Sequence, residues 1–337
     1  MNSRERIRAL IAKEPADRHG FWLGNPYPDT WPILHDYFGT STEEELRVRL
    51  GDDFRWICPQ YEDRTFVTAQ GGAPFEIITH RTVGGRVTPF KDCEDPQEIE
   101  AFEWPSAEGL NLEPTLDRLR GAGPYYRASG FWCPFYHDLM DLFGMQAYLM
   151  KMYTHPEVIE AATNRVCQFY YDANERFFRL AGDLVDGFFF GNDFGTQQSL
   201  IISPKLFDRF IMPWFSTFID QGHRHGHQVI LHSCGSIYRM LPTLIAAGVE
   251  CLHPLQARAA NMDAETLSRE FNGQVTFLGG IDTQYLLPYG SPEDVKADVR
   301  RVRDLLGPHV IISPSHEAVL PDVPPRNVEA MAVAAHE

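Results

Sequence analysis

From about residue 138 onward, long helical stretches alternate with short apolar runs, and this rhythm constrains the fold more than any other feature. The stretch 139–152 reads as helical, and 155–181 as a long helix opened by Pro156. LVDGFFFGND (184–193) follows as a strand. The stretch 204–226, opened by Ser203-Pro204, leads into QVILHSC (228–234). IYRMLPTLIAAG (237–248), closed by Gly248, leads to VECLHP (249–254). Helix 262–271 leads to VTFLGGID (275–282), and helix 291–306 leads to HVIISPSH (309–316). A last helix covers about 325–336. Strands separated by helices of this length pair in parallel through crossovers. With GFWLG (20–24) upstream, the pattern predicts an α/β chain folded as a single (β/α)8 TIM barrel, which a length of 337 residues suits.

The first third is less regular. SRERIRALIAK (3–13), with Ser3 as cap, and STEEELRVRL (41–50) read as helices, and NPYPDTWP between them as a Pro-rich loop. Between about 54 and 90, FRWIC, TFVTA, FEIITHRTV and RVTPF are short β-prone runs split by polar turns. They predict a small antiparallel β excursion within one 1–337 barrel.

The net charge of −16 argues against nucleic acid and against an anionic membrane surface as partners. No run of about 18 apolar residues is present, and the N-terminus lacks a signal-type apolar core. The six cysteines are scattered rather than framed as a disulfide scaffold. A reduced, cytoplasmic protein is the expectation.

In such a barrel the active site lies at the C-terminal ends of the strands. One strand ends in Asn192-Asp193 and runs on to Gln197, and another in His232-Ser233-Cys234. Two more end in Gly279-Gly280-Ile281-Asp282 and in Ser313-Pro314-Ser315-His316-Glu317. His253-Pro254 ends a fifth. Alternate residues of a strand share a face, so His232 and Cys234 point the same way. An imidazole beside a thiolate suits zinc. His316 is the expected third ligand, leaving a fourth position open for chemistry. Asp193, Asp282 and Glu317 are candidates for orienting ligands, for a fourth ligand or for moving protons. Asn192, Gln197, Tyr136 and the Trp22-Leu23 pair of the first strand are candidates for substrate contacts.

Each signal has a plainer reading. His-x-Cys on a strand also suits a buried thiol and a hydrogen-bonded histidine. Asn192 or Asp193 can cap a turn, and GGID can be a tight turn. Trp132, Phe135 and Tyr136, with His137 and Asp138, suit a core as well as a pocket. The run His223-Arg224-His225-Gly226-His227 has a metal-like composition. It precedes a strand, at the wrong end of the barrel, and reads as a solvated helix terminus.

Several stretches resemble the uroporphyrinogen decarboxylase superfamily, and its methyltransferase-related branch in particular. They are LHSCGSIYRMLPTLIAAGVECLHPLQ, FLGGIDTQYLLPYGSPEDV and IISPSHEAVLPDVPPRNVEAM, with GNDFGTQQSLIISPKLFDRFIMPW and LGDDFRWICP. The resemblance implies a (β/α)8 barrel over nearly the whole chain. The decarboxylases carry an arginine-rich N-terminal signature of the RQAGRY kind. The matching FWLGNPYPDTW has no arginine to recognise a polycarboxylate. The other branch implies methyl transfer to or from a corrinoid protein, with zinc held by a His-x-Cys pair and a distant cysteine. His232 and Cys234 match that pair, and His316 stands where the distant cysteine is expected. The implied function is a zinc-dependent methyltransferase. It would move a methyl group between a small substrate, such as a methoxylated aromatic undergoing O-demethylation, and cobalamin or another corrinoid carried by a partner protein. The alternatives are a metal-free lyase using Asp193 and His316 on a carboxylated substrate, and a non-catalytic corrinoid-protein partner. A homodimer is the ordinary expectation for such an enzyme.

Overall fold

A computed structural model describes the chain except for residues 63–64, 67–73, 79–80 and 83–84. The barrel strands are β1 (Gly20–Phe21), β2 (Phe54–Ile57), β3 (Tyr126–Ser129), β4 (Gly187–Gly191), β5 (Gln228–His232), β6 (Cys251–Leu255), β7 (Thr276–Ile281) and β8 (Val310–Pro314). They form one eight-stranded sheet in which β1 pairs with β8 and each other strand with its sequence neighbour, all in parallel. This is the (β/α)8 barrel. The side chains of Trp22, Phe54, Tyr126, Phe189, Ile230, Leu278 and Ile311 fill its interior. A larger apolar layer lies between the strands and the surrounding helices.

The β1–β2 seam is closed by carboxylates as well as by backbone. Asp53 N–H donates to the Phe21 carbonyl at 2.9 Å. Phe21 N–H donates to Asp53 Oδ2 at 3.0 Å, and Leu23 N–H to Asp52 Oδ2 at 3.2 Å. Both aspartates are fully buried. A buried charge needs a partner, and arginines supply it. Arg6 and Arg18 reach Asp53 at 2.7 and 2.8 Å, and Arg47 reaches Asp52 at 2.7 Å. The stretch LGDDFRW is therefore a barrel-closing device.

The βα rhythm after residue 138 holds, with Ser203-Pro204 and Ser291-Pro292 opening their helices as read. The helical stretch 139–152 is two helices, Phe135–Phe143 and Met145–Thr154, parted by Gly144. The stretch 204–226 breaks at Ile211. The first helix is capped by Asn2 in a box with Glu5, not by Ser3. NPYPDTWP runs into a helix, Thr30–Phe38, because Pro32 lies in the first turn, where its missing N–H costs no helical bond.

The expected excursion is smaller than read. FRWI is barrel strand β2. FEII lies in a short helix, Pro74–Ile78. Antiparallel pairing remains between Arg81–Thr82 and Gly85–Arg86. Most of TFVTA lies outside the described residues. No helix among the described residues is long and apolar enough to cross a membrane.

Candidate active site

The site is built where the ends of β4 and β5 press together, and glycines make the contact possible. A Cβ on Gly191 would lie 2.5 Å from the Cβ of His232. A Cβ on Gly235, whose φ is +82°, would lie 2.3 Å from the carbonyl of Gly195. The Gly191–Gly195 loop and the turn after His232 thus meet backbone to backbone. This contact brings Asp193 onto Cys234. Asp193 Oδ1 accepts the Cys234 N–H at 2.9 Å and lies 3.2 Å from His232 Nε2. Cys234 Sγ lies 3.4 Å from the same Nε2.

The other face of His232 is also occupied. Its Nδ1 lies 2.9 Å from Nδ1 of His253 on β6. Glu317 Oε2 lies 3.7 Å from His232 Nδ1 and 3.6 Å from His316 Nδ1. That oxygen is buried and has no hydrogen-bond partner. Two sets of ligand atoms therefore gather within 4.8 Å of one another: Asp193, His232 and Cys234, and His232, His253 and Glu317. His316 belongs to neither set. Its Nδ1 accepts the Ala318 N–H at 3.1 Å while its ring sits beside Cys234. Asp193, rather than His316, lies within the group of ligand atoms that gathers around His232 and Cys234.

The charges follow from these contacts. Burial pushes the Asp193 carboxyl up. The His232 hydrogen bond and charge, the Cys234 N–H and the nearby His137 outweigh it and hold the group well below the usual carboxylate range. Burial also works against the His232 cation, but Glu317, Cys234 and Asp193 raise its pKa well above the ordinary value. The contact with Cys234 raises His316. Burial first, and then the charges of His232 and His316, push His253 well below its ordinary value. His232 is thus favoured as a cation, and His253 as a neutral ring.

Above this cluster opens a cleft of about 610 Å³. Its walls include Tyr27, Trp56, Tyr61 and Trp132, with His137 near Asp193 and with His232, His316 and Glu317 on its floor. No arginine or lysine is among the described residues that line it. Through Pro26, Trp56 and Tyr61 it borders a second cleft of about 790 Å³ that does carry Arg47, Arg55 and Arg118.

Several expected site residues lie elsewhere. Asp282 accepts the N–H groups of Gln284 and Leu286 and pairs with Arg258 at 3.6 Å, in a different hollow. Gln197 is exposed beyond the cleft. Tyr136 is fully buried against Tyr148 and Phe194, a core residue rather than a pocket wall. Asn192 reaches the cleft wall, but its amide is occupied. It accepts Tyr136 N–H at 2.9 Å and donates to the Cys133 carbonyl at 2.9 Å. Trp22 packs inside the barrel against His253, and Leu23 is buried in the outer core. GGID is neither turn nor loop. Its glycines lie inside β7, where a Cβ on Gly279 would meet Leu255 N at 2.6 Å beside a register irregularity of β6.

The histidine run before β5 is dispersed, with His223 on Glu250 at 3.0 Å, His225 on Glu175 at 3.2 Å and His227 buried against Phe178. His253 is expected from the sequence as a fifth strand end at the same mouth, and the β5–β6 register sets it directly across from His232. Trp56 received no role from the sequence.

Comparison with known proteins places this geometry in context. A family model described as uroporphyrinogen decarboxylase matches residues 140–337. Among solved structures, a methyltransferase from Methanosarcina mazei is similar with a TM-score of 0.68 and 15% identity, covering 99% of this chain and 98% of that one. At that identity the likeness speaks for the fold. No curated protein matches in sequence.

Proposed function

The chain belongs to the uroporphyrinogen decarboxylase family, and on that premise we propose that it is a zinc-dependent methyltransferase. It would move a methyl group between a small substrate and a corrinoid carried by a separate protein. The observation that carries this reading is the donor set of His232, Asp193 and Cys234, the first two of which line the cleft. His232 Nε2 lies 3.4 Å from Cys234 Sγ and 3.2 Å from Asp193 Oδ1. Neighbouring ligands of a tetrahedral zinc stand roughly 3.3–3.6 Å apart, given bonds of about 2.0 Å to nitrogen or oxygen and 2.3 Å to sulfur. Imidazole, thiolate and carboxylate are a donor set that zinc takes, so the residues fit the ion.

When bound, zinc supplies Lewis acidity to the oxygen or sulfur that carries the methyl group. The chain's own residues do the rest. Cys234, His232 and Asp193 would hold the ion, and the Cys234 N–H fixes the Asp193 carboxylate beside His232 Nε2. Glu317 and His316 stand side by side at the cleft, where they hold or release a proton at the departing heteroatom. Tyr27, Trp56 and Trp132 offer flat apolar walls that exclude water and suit a methoxylated aromatic. The open cleft leaves a path for the corrinoid. The structural likeness to a protein named as a methyltransferase agrees with this reading. The free cysteines agree with a reducing, cytoplasmic setting.

A metal-free lyase acting on a carboxylated substrate would have to hold the carboxylate on His232, because no arginine or lysine is among the described residues that line this cleft. Co(I) cobalamin offered with the protein and a panel of methoxylated aromatics and methyl thioethers tests the proposal by absorbance. Methyl-cobalt should accumulate with wild-type protein and fail to do so with His232→Ala, Cys234→Ala or chelated protein. Full turnover by chelated protein would contradict it.

A further inference from the structure

His253 lies outside the donor set of Asp193, His232 and Cys234, yet it is fully buried and holds its Nδ1 at 2.9 Å from Nδ1 of His232. We propose that His253 is a positioning residue that fixes the tautomer and ring plane of His232 by accepting a hydrogen bond at its own Nδ1. The inference rests on the metal reading above.

Two imidazole nitrogens this close share one proton, so one ring donates and the other accepts. A His232 that gives its Nε2 lone pair to a cation carries its hydrogen on Nδ1. His253 Nδ1 must then be the acceptor, and the hydrogen of a neutral His253 sits on its Nε2. The surroundings of that atom agree. His253 Nε2 is buried without a hydrogen-bond partner. The ring meets Trp22 at 5.1 Å and Phe189 at 5.3 Å, both edge-on. An aromatic enclosure tolerates a weak N–H donor and offers no strong acceptor.

No other group competes for the His232 Nδ1–H. Glu317 Oε2, at 3.7 Å, is beyond hydrogen-bond reach. The pair is also fixed by the sheet, since His232 and His253 are register partners and Ser233 N–H donates to the His253 carbonyl at 2.8 Å. Metal-bound histidines commonly donate to a carboxylate or a carbonyl, which raises the basicity of the ligand. A neutral imidazole pushes less electron density onto His232 than a carboxylate would, which leaves a bound ion more electrophilic.

The direct test is NMR of zinc-loaded, full-length protein labelled with 15N-histidine. The inference expects His232 protonated at Nδ1 and His253 protonated at Nε2. A hydrogen on His253 Nδ1 would overturn it. Variants give an independent readout by Co(II) titration, following the thiolate-to-cobalt band, with circular dichroism confirming the fold. His253→Phe, which fills the space without an acceptor, should bind about 10–100-fold more weakly with a shifted band, and His253→Asn, which keeps one, should recover most of the affinity. Wild-type affinity and spectrum in His253→Phe would overturn the inference alone. So would a loss in both variants as complete as in His232→Ala, which would make His253 a ligand. Persistence of the cobalt band in His232→Ala would overturn the metal reading, and this inference with it.

Discussion

The molecule sets acidic side chains among its strands in two ways. At the β1–β2 seam, Asp52 and Asp53 are fully buried and face Arg6, Arg18 and Arg47 at 2.7–2.8 Å. At the barrel mouth, Asp193 and Glu317 face His232, His316 and Cys234, and no arginine or lysine is among the described residues lining their cleft. Arginine stays charged at every relevant pH, so the seam is complete within the chain and its product is a closed barrel. Imidazoles and a thiol offer lone pairs as readily as protons, so the mouth is suited to take a cation or a reacting group. The first cluster is structure; the second has the makings of a site.

Breaking the seam should have the largest effect. Asp53→Ala takes a buried partner from Arg18 and from Arg6, which keeps Asp17, and frees the Phe21 N–H, and should cost about 3–5 kcal/mol of stability. Chemical denaturation reads this directly. A loss below about 1 kcal/mol would put the two acid groups on one footing.

His227 sharpens the contrast, as a buried imidazole with no acid in hydrogen-bond contact. Burial first, and then the charges of His225 and Arg8, push it down to about 4. The unfolded chain takes up this proton near pH 6.5 and the folded chain only near 4. Stability from this group is therefore present above about 6.5 and is lost as pH falls toward 4, by about 3 kcal/mol in all. In His227→Phe, thermal melts across this window should show a smaller decline by that amount. An unchanged decline would mean that His227 is hydrated.

At the mouth the expected sign reverses. Glu317→Gln replaces a carboxylate whose Oε2 is buried without a hydrogen bond. The zinc-free protein should melt no lower than wild type, with a gain of up to about 1 kcal/mol, while methyl transfer falls. A clear destabilisation would make Glu317 a structural acid like Asp53.

The smallest effect belongs to Asp282. As the acceptor for Gln284 and Leu286 N–H it should cost about 1 kcal/mol when changed to Ala, with methyl-transfer turnover unchanged. A turnover loss of about tenfold or more in folded protein would return it to the chemistry.

The sequence showed the barrel where the strands are apolar runs, as in FFFG and VIISP, because burial on both faces leaves no polar alternation. It put β2 in the antiparallel excursion and missed β3, two four-residue strands that carry Arg55 and Arg127 turned to buried aspartates or their neighbours. The site was legible to the extent that strand ends converge by fold. His232, Cys234, Asp193, Glu317 and His316 do meet at one mouth. What one sequence does not show is which way a strand-end carboxylate turns. Asp282 and Asp193 each follow a glycine-bearing strand end. One caps a short helix, and the other is carried onto Cys234 by the Gly195–Gly235 contact. The strand register that sets His253 against His232 is likewise a tertiary fact.

Elemental analysis of protein purified without chelator or affinity-tag metal tests the account most directly, with wild type beside His232→Ala and Cys234→Ala. The account predicts about one zinc per wild-type chain and almost none in either folded variant. Wild-type protein that carries no zinc and takes up none when it is added would contradict it.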